Sequence, residues 1–195
     1  MKNLIFLTAA LLISAMGALM SPVAIYGQPS MDGQAADTDG LSCAYMLKPH
    51  QELPVRDTSG FTKVFLAGTI DMGNSRDWQS GMLEYFAAKD GRYLLFNPRQ
   101  DSWNAEAEGE MDYQVNWELR HLEEADIIIM YIIGTSKSPV TLLEMGLHAR
   151  SRKLIVACEK DYYRYDNVRI TCGFYGIPLY NSLDQLLEVL DNYSY

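Results

Sequence analysis

From Lys63 onward, short continuous apolar runs alternate with longer segments in which apolar residues recur at helical spacing. Continuous apolar runs are typical of strands that are covered on both faces of a sheet. The run at residues 127–133 is the most apolar of this part of the chain and shows no polar alternation. The pattern predicts strands at residues 63–68, 93–97, 127–133, 154–158 and 168–171.

The segments between these runs have the stripes and end signals of helices. Asp90-Gly91 ends the first of them, and in the second Val115, Leu119 and Leu122 fall on one stripe. Alternation of strand and helix predicts one α/β domain over residues 62–195, a doubly wound parallel sheet of about five strands with helices on both faces. The predicted helices are residues 77–89, 112–124, 139–150 and 182–190.

The N-terminal segment does not have the pattern of this domain. Lys2 precedes an apolar run at residues 4–20, which favours a signal peptide or membrane anchor over residues 1–27. A mis-assigned start, with synthesis from Met31 or later, is a third interpretation. The protein is exported or membrane-anchored if the segment is genuine, and cytoplasmic otherwise. Residues 28–61 are polar and rich in Gly, Asp, Ser and Pro, which predicts a flexible linker.

Charge and cysteine content narrow the function classes. A net charge of -9 argues against a broad basic surface for a nucleic acid polymer, although backbone amides can still bind small anions. The odd set Cys43, Cys158 and Cys172 contains no CxxC pair, so neither a zinc site nor a disulfide framework follows from it. We expect no metal and no cofactor.

Unusual residues cluster in the loops that follow predicted strands, where parallel sheets bind ligands. The loops begin at Gly68, Asn97 and Gly134. The helix after the third strand carries Glu144, the only charged side chain between Pro139 and Gly146.

Glu144 shares a predicted helix face with Val140 and Leu147, so we expect a partly desolvated, ionised carboxylate. Ser138 suits the N-cap, and Gly146 would let the helix approach a neighbouring element closely. The alternative is that Glu144 forms an outward salt bridge.

Six other residues of types that serve in binding or catalysis occur in the predicted domain. Glu118, on the preceding helix, is either a second carboxylate for acid/base work or part of a solvated face. Trp103 lies in a polar loop where an indole can stack on a base, whereas Trp78 and Trp117 are interpreted as core residues. The lone histidines His121 and His148 are interpreted as structural.

Four stretches, in order, resemble the nucleoside 2-deoxyribosyltransferases and the related nucleotide N-glycoside hydrolases. These stretches are KVFLAGTIDMG, LLFNPR, VNWELRHLEEADIII and SPVTLLEMGLHARSRKLIVA. The resemblance covers nearly the whole predicted domain and implies a flavodoxin-like sheet. The TLLEMG segment resembles the signature around that family's catalytic glutamate, which implies that Glu144 attacks the anomeric carbon and forms a covalent glycosyl-enzyme intermediate.

The resemblance also implies roles for other residues. Glu118 stands where the family usually has an acidic aspartate. Ser138 stands where transferases often have an aspartate and where the hydrolase branch uses a serine near a 5′-phosphate. Asp71 stands where that branch tends to have arginine, so transfer or hydrolysis and nucleoside or monophosphate stay open. The implied substrate-binding residues are Gly68, Thr69, Asp71, Asn97, Arg99, Trp103, Ser138 and Asn167, the last reaching into a neighbouring subunit's site.

The leading hypothesis is therefore a deoxyribosyltransferase or N-glycosidase that acts on (deoxy)nucleosides or their monophosphates, with a free nucleobase as acceptor or product. The expected partners are these small molecules, a second copy of the chain and, through the leader, a membrane, but no nucleic acid polymer. A non-catalytic, membrane-tethered nucleotide-binding module is the alternative. A flavin-binding protein is the third hypothesis, although the loop after the first predicted strand lacks a run of hydroxyl residues.

Overall fold

The structure, a computed structural model, describes residues 42–191. The predicted leader at residues 1–27 and the first part of the predicted linker lie outside the described residues. Within residues 42–191, no helix has both the length and the apolar character needed to cross a membrane.

The described residues form a six-stranded, all-parallel sheet in the order β1-β3-β2-β4-β5-β6. Without β1, the five strands β3-β2-β4-β5-β6 have the 2-1-3-4-5 order of a flavodoxin-like sheet. Strand β1 is added at the edge, beside β3. The α/β, doubly wound, flavodoxin-like prediction is confirmed, with one strand more than expected. The strands are β1 (Cys43–Leu47), β2 (Thr62–Gly68), β3 (Arg92–Phe96), β4 (Ile127–Ile132), β5 (Leu154–Cys158) and β6 (Leu179–Tyr180).

Helices cover both faces of the sheet, and alternate strand residues enter the two cores. Phe65 and Ala67 pack with the helices at residues 110–124, 139–148 and 165–175, whereas Val64 and Leu66 pack with the helices at residues 81–87 and 183–190. Every residue of β4 is buried, as its continuous apolar run predicted. The helices are α1 (Gly81–Ala87), α2 (Glu110–Glu124), α3 (Pro139–His148), α4 (Tyr165–Tyr175) and α5 (Leu183–Leu190).

Two assignments from sequence were wrong. Cys43–Leu47, placed in the linker, is strand β1, paired with β3 from Cys43 to Leu47. Residues 168–171, predicted as a strand, lie in α4. Their β-branched side chains favour a strand, but Val168 and Cys172 are buried while Ile170, midway between them, is 60% exposed. A helix explains this pattern, whereas a strand would turn all three side chains to one face.

The connections after β2 and after β4 leave the sheet at neighbouring positions, because these two strands are paired from Val64–Ile127 to Gly68–Tyr131. The chain from β2 returns through α1 to β3 on one side, and the chain from β4 continues through α3 to β5 on the other. Such a switch point opens a crevice at the carboxyl ends of the strands.

Candidate active site

A cavity of about 380 Å³ opens at this crevice. Its volume lies within the range of about 300–1,000 Å³ that is typical of small-molecule sites. The loop after β2, the loop after β3 and helices α2 and α3 supply its walls. The residues that line it are Gly68, Ile70, Asp71, Met72, Gly73, Pro98, Gln100, Trp103, Ala105, Met111, Gln114, Val115, Glu118, Ser138, Pro139, Val140, Thr141 and Glu144.

Gly68 forms the floor where β2 ends. Its φ is 131°, and a Cβ there would lie 2.1 Å from the carbonyl oxygen of Tyr131 on β4. The next residue, Thr69, donates its backbone N–H to that same oxygen at 2.9 Å. Only glycine fits this close approach of two backbones, which directs the loop after β2 into the cavity.

Glu144 lines the cavity from the second turn of α3 and is only 7% exposed. No hydrogen bond or ion pair to its carboxyl is found among the described residues. Val140, on the predicted face of Glu144, lines the same cavity, whereas Leu147 is 58% exposed and does not line it. Thr141 and His148 are buried with Glu144. The prediction that Gly146 lets α3 approach a neighbouring element closely was wrong, since a Cβ there would meet nothing within 4 Å.

Glu118 lines the same cavity from α2. Burial raises its pKa, and a hydrogen bond from Gln114 to its Oε1 at 2.8 Å opposes this rise. Burial, and then the negative charge of Glu118, raise the pKa of Glu144 to about 8. A pKa raised in this way favours a protonated Glu144 at neutral pH in the protein without ligand, whereas an ionised carboxylate was expected from the sequence.

A line of hydrogen-bonded side chains runs along the cavity, from Thr69 through Ser138 and Ser136 to Asp71. The Oγ of Ser136 donates to Asp71 Oδ1 at 2.7 Å. Ser136 has one hydroxyl proton, so Ser138 must be the donor at the 2.8 Å contact between the two serines. By the same reasoning Thr69 donates to Ser138 at 2.7 Å, and it accepts from Ile133 N at 3.0 Å. Each hydroxyl proton is thus already used within the protein.

Ser138 does occupy the N-cap position of α3, as predicted, but its side chain makes no capping bond. Its φ of 41° belongs to the left-handed region, and its backbone N–H binds Ser136 Oγ at 3.1 Å. The hydroxyl therefore serves the line to Asp71 instead of the helix end.

Four of the predicted substrate-binding residues do not line the cavity, and two of these four, Asn97 and Arg99, are buried in the protein. Asn97 is fully buried, where its side-chain oxygen accepts the Arg99 backbone N–H at 3.0 Å. The Arg99 guanidinium is also buried and donates to Ser75 Oγ at 2.9 Å and to Gly73 O at 3.3 Å. Both residues therefore shape the loops around the cavity, and neither faces a ligand in it.

The remaining predicted site residues divide between the cavity and the surface. Trp103 and Asp71 line the cavity, and Thr69 contacts it through Ser138. Asn167 is exposed on α4 and does not line the cavity. A role for Asn167 in a neighbouring subunit's site therefore stays a prediction.

Sequence reasoning missed Ser136 and Gln114, which hold Asp71 and Glu118 by hydrogen bonds. A polar residue two positions before the N-cap was a usable signal for Ser136. For Gln114 the signal was its spacing of four residues before Glu118 on a predicted helix, which places both side chains on one face.

The fold and the cavity define an α/β protein with a cavity of small-molecule size that is lined by the carboxyl groups of Glu118 and Glu144. The model of the family described as "Nucleoside 2-deoxyribosyltransferase like" matches residues 62–162, and the chain belongs to this family. Membership indicates a nucleoside-modifying enzyme of the glycosyl-transfer type. Among curated proteins, none matches the chain.

Proposed function

We propose that this protein cleaves the N-glycosidic bond of a (deoxy)nucleoside through a covalent glycosyl-Glu144 intermediate. The observation that carries the proposal is the buried Glu144 carboxyl, which lines the cavity beside Glu118 with no partner among the described residues. A carboxylate held in this way is available to attack an electron-poor anomeric carbon.

One proton on the carboxyl pair suits both halves of this step. Glu144 attacks as the carboxylate, and a bond forms from its oxygen to the anomeric carbon. The C–N bond breaks, its electron pair leaves with the base, and Glu118 supplies the proton that neutralises the base. The raised pKa of Glu144 favours the form with the proton on Glu144, so the step requires that proton to move to Glu118 before the attack.

Water or a second base then takes the sugar from Glu144. Glu118, now ionised, accepts the proton that the attacking molecule loses, and the pair returns to its starting state. An acceptor base gives transfer, and water gives hydrolysis. The apolar walls from Met72, Met111, Val115 and Val140, together with Trp103, suit the flat face of a base.

The charges in the cavity favour a neutral nucleoside over its 5′-monophosphate. Among the described residues, those that line the cavity include Asp71, Glu118 and Glu144 but no Lys, Arg or His. Ser138 has no free hydroxyl proton for a phosphate, because it donates to Ser136. A phosphate dianion would enter the cavity against carboxylate charge, whereas a sugar hydroxyl can donate to Asp71.

Product analysis tests the proposal. Purified protein is incubated with a panel of deoxynucleosides and their 5′-monophosphates, with and without a free acceptor base, and bases and nucleosides are separated by chromatography. We expect base release or exchange from at least one deoxynucleoside, with the monophosphates poorer substrates. Glu144→Gln should lose about a thousandfold or more in rate, and Glu123→Gln, an exposed residue of α2, is the matched control.

A covalent adduct is the second readout. With a slow 2-fluoro nucleoside, mass spectrometry should find one sugar added to the peptide that contains Glu144, and none in Glu144→Gln. Folded protein that binds nucleosides but gives no product and no adduct would replace this proposal with a non-catalytic binding module.

We also propose that the protein is a homo-oligomer. Helix α3 exposes Val140, Leu143 and Leu147. The next helix in sequence, α4, exposes Ile170 and Phe174. Large exposed apolar side chains of this kind are typical of interfaces. Light scattering on the purified protein should show a mass above that of one chain, and Leu143→Glu with Leu147→Glu should reduce it. A single-chain mass for the unaltered protein would contradict this.

A further inference from the structure

Two glutamine amides connect the candidate acid Glu118 to the protein surface. Gln114 Nε2 donates to Glu118 Oε1 at 2.8 Å, and Gln100 Nε2 donates to Gln114 Oε1 at 2.7 Å. Gln100 Nε2 also donates to Glu110 Oε1 at 2.6 Å, and His50 Nε2 lies 2.9 Å from the same oxygen. A continuous hydrogen-bonded chain thus leads from the surface pair His50–Glu110 to the cavity.

The orientation of the Gln114 amide is fixed by a group that can only accept. Gln114 Nε2 donates to the carbonyl oxygen of Pro98 at 2.8 Å. A carbonyl has no proton to give, so the nitrogen of Gln114 must face Pro98 and its oxygen must face Gln100. The second N–H of Gln114 then has one direction left, toward Glu118 Oε1.

We propose that Gln114 is a positioning residue that holds the Glu118 carboxyl with Oε1 as a permanent acceptor, so that Oε2 is the oxygen that carries the transferable proton. The role rests on the proposed function of Glu118 as the proton donor to the leaving base. Although Gln114 also lines the cavity, both its N–H groups are taken by Pro98 and Glu118, so it has no donor left for a ligand.

The charged groups around Glu118 define the electrostatic background. Glu144 on α3 and Asp71 on the loop after β2 line the same cavity, and Glu110 on α2 is connected through the two amides. All three are acidic, and none of them stabilises an ionised Glu118, whose pKa is raised by burial. The hydrogen bond from the Gln114 N–H favours the ionised form of Glu118, and its removal should therefore raise the pKa of that carboxyl.

Gln114→Met, which keeps the length of the side chain and removes the amide, tests the role. The first measurement is the titration of ¹³C-labelled glutamate carboxyls in the free protein, with Glu118 assigned from Glu118→Gln. The second is kcat and KM against pH on the deoxynucleoside that the unaltered protein cleaves. Asn116→Leu is the matched control, because Asn116 donates only to the Asp112 carbonyl of its own helix.

In Gln114→Met we expect the Glu118 pKa to rise and the alkaline limb of the rate profile to move to higher pH. We expect kcat to fall roughly tenfold to a hundredfold, a part of the about 10²–10⁴-fold that a positioned general acid contributes, with KM nearly unchanged. On the Glu118→Gln background the same substitution should cost nothing more. If Gln114→Met does not fold, Gln114→Asn, too short to reach both Pro98 and Glu118, takes its place with the same expected directions.

An unchanged Glu118 titration would overturn the role, and so would an equal fall in kcat on the Glu118→Gln background. If the unaltered protein cleaves no nucleoside, the proposed function fails by itself. The carboxyl titration still decides whether Gln114 holds Glu118, because it needs no substrate.

Discussion

At the residue scale, the central fact is that Glu144 is buried and that residues 42–191 supply no counter-charge to it. Its pKa is raised by burial first and by Glu118 second, to about 8, from an ordinary value of 4.5. Residues that reduce the stability of the fold in this way are common at functional sites, because an environment that favours the reaction disfavours the ionised side chain before substrate binds.

This burial predicts that stability depends on pH through Glu144. Between about pH 4.5 and 8 the folded protein holds a proton on Glu144 that the unfolded chain lacks, so the stability of the folded state falls as the pH rises. Glu144→Gln removes this dependence. We expect its melting temperature, measured by differential scanning fluorimetry, to gain on that of the unaltered protein from pH 5 to pH 8. A constant difference across this range would show that Glu144 is ionised in the folded protein.

The carboxyl pair also predicts a bell-shaped rate profile. Glu144 must be ionised while Glu118 holds the proton, so kcat/KM should be highest where the pair carries one proton. We expect it to fall above about pH 8, where the last proton leaves, and again in acid, where both carboxyls are protonated. Initial rates from pH 4 to 10 measure this. In Glu118→Gln the fall above pH 8 should disappear, and its persistence would assign the alkaline limb to another group.

At the element scale, the end of β2 depends on one glycine. Gly68→Ala would put a Cβ 2.1 Å from the Tyr131 carbonyl oxygen, at a φ of 131° that L side chains rarely adopt. We expect a loss of about 3 kcal/mol or more in the free energy of unfolding, measured by urea denaturation.

Gly81→Ala is the matched control for this prediction. Gly81 is the first residue of α1, has no positive φ, and a Cβ there meets nothing within 4 Å. The same substitution should be neutral or slightly stabilising at this position, by up to about 1 kcal/mol. Equal effects at Gly68 and Gly81 would show that the approach of β2 to β4 is not as tight as the structure has it.

Sequence periodicity predicted the central elements because burial on both faces leaves a strong pattern, as in β4 and β5. It missed β1, whose first four residues are only partly buried at the edge of the sheet. The pattern of such an edge strand resembles that of a linker, because the sequence of one segment does not show where the segment lies in the sheet.

The sequence likewise predicted some residues of the site and missed the contacts of others. The position of Glu144 follows from the rule that ligands bind at the carboxyl ends of parallel strands, and its sequence context added the resemblance. The inward turn of Arg99 was not predictable, because its partners Gly73 and Ser75 come from a loop more than twenty residues earlier. The raised pKa of Glu144 likewise depends on its burial and then on Glu118, and only the packing of α2 near α3 brings these two carboxyls to the same cavity.

At the scale of the whole molecule, β1 and the loop after it complete both the sheet and the surroundings of the site. Leu47 O accepts the Asn97 backbone N–H at 2.9 Å, next to the loop that enters the cavity. His50 stacks on Tyr113 of α2, with ring centroids 4.1 Å apart, and Lys48 binds Asp101 at 2.6 Å. The segment thus fastens the loop after β3 and the start of α2.

These contacts predict that the stable domain begins before β1, not at residue 62. A chain that starts at Ser42 should fold cooperatively, whereas a chain that starts at Thr62 leaves the β3 edge unpaired and loses the contacts of Leu47 and His50. Because these contacts are lost, we expect the shorter chain to melt at a lower temperature than the longer one. Unpaired edges promote association, so we also expect the shorter chain to elute partly as aggregates in size-exclusion chromatography. Its activity should fall as well, because Glu110 and the loop after β3 lose their support. Equal melting temperatures for the two chains would place β1 outside the cooperative unit and restore residue 62 as the boundary.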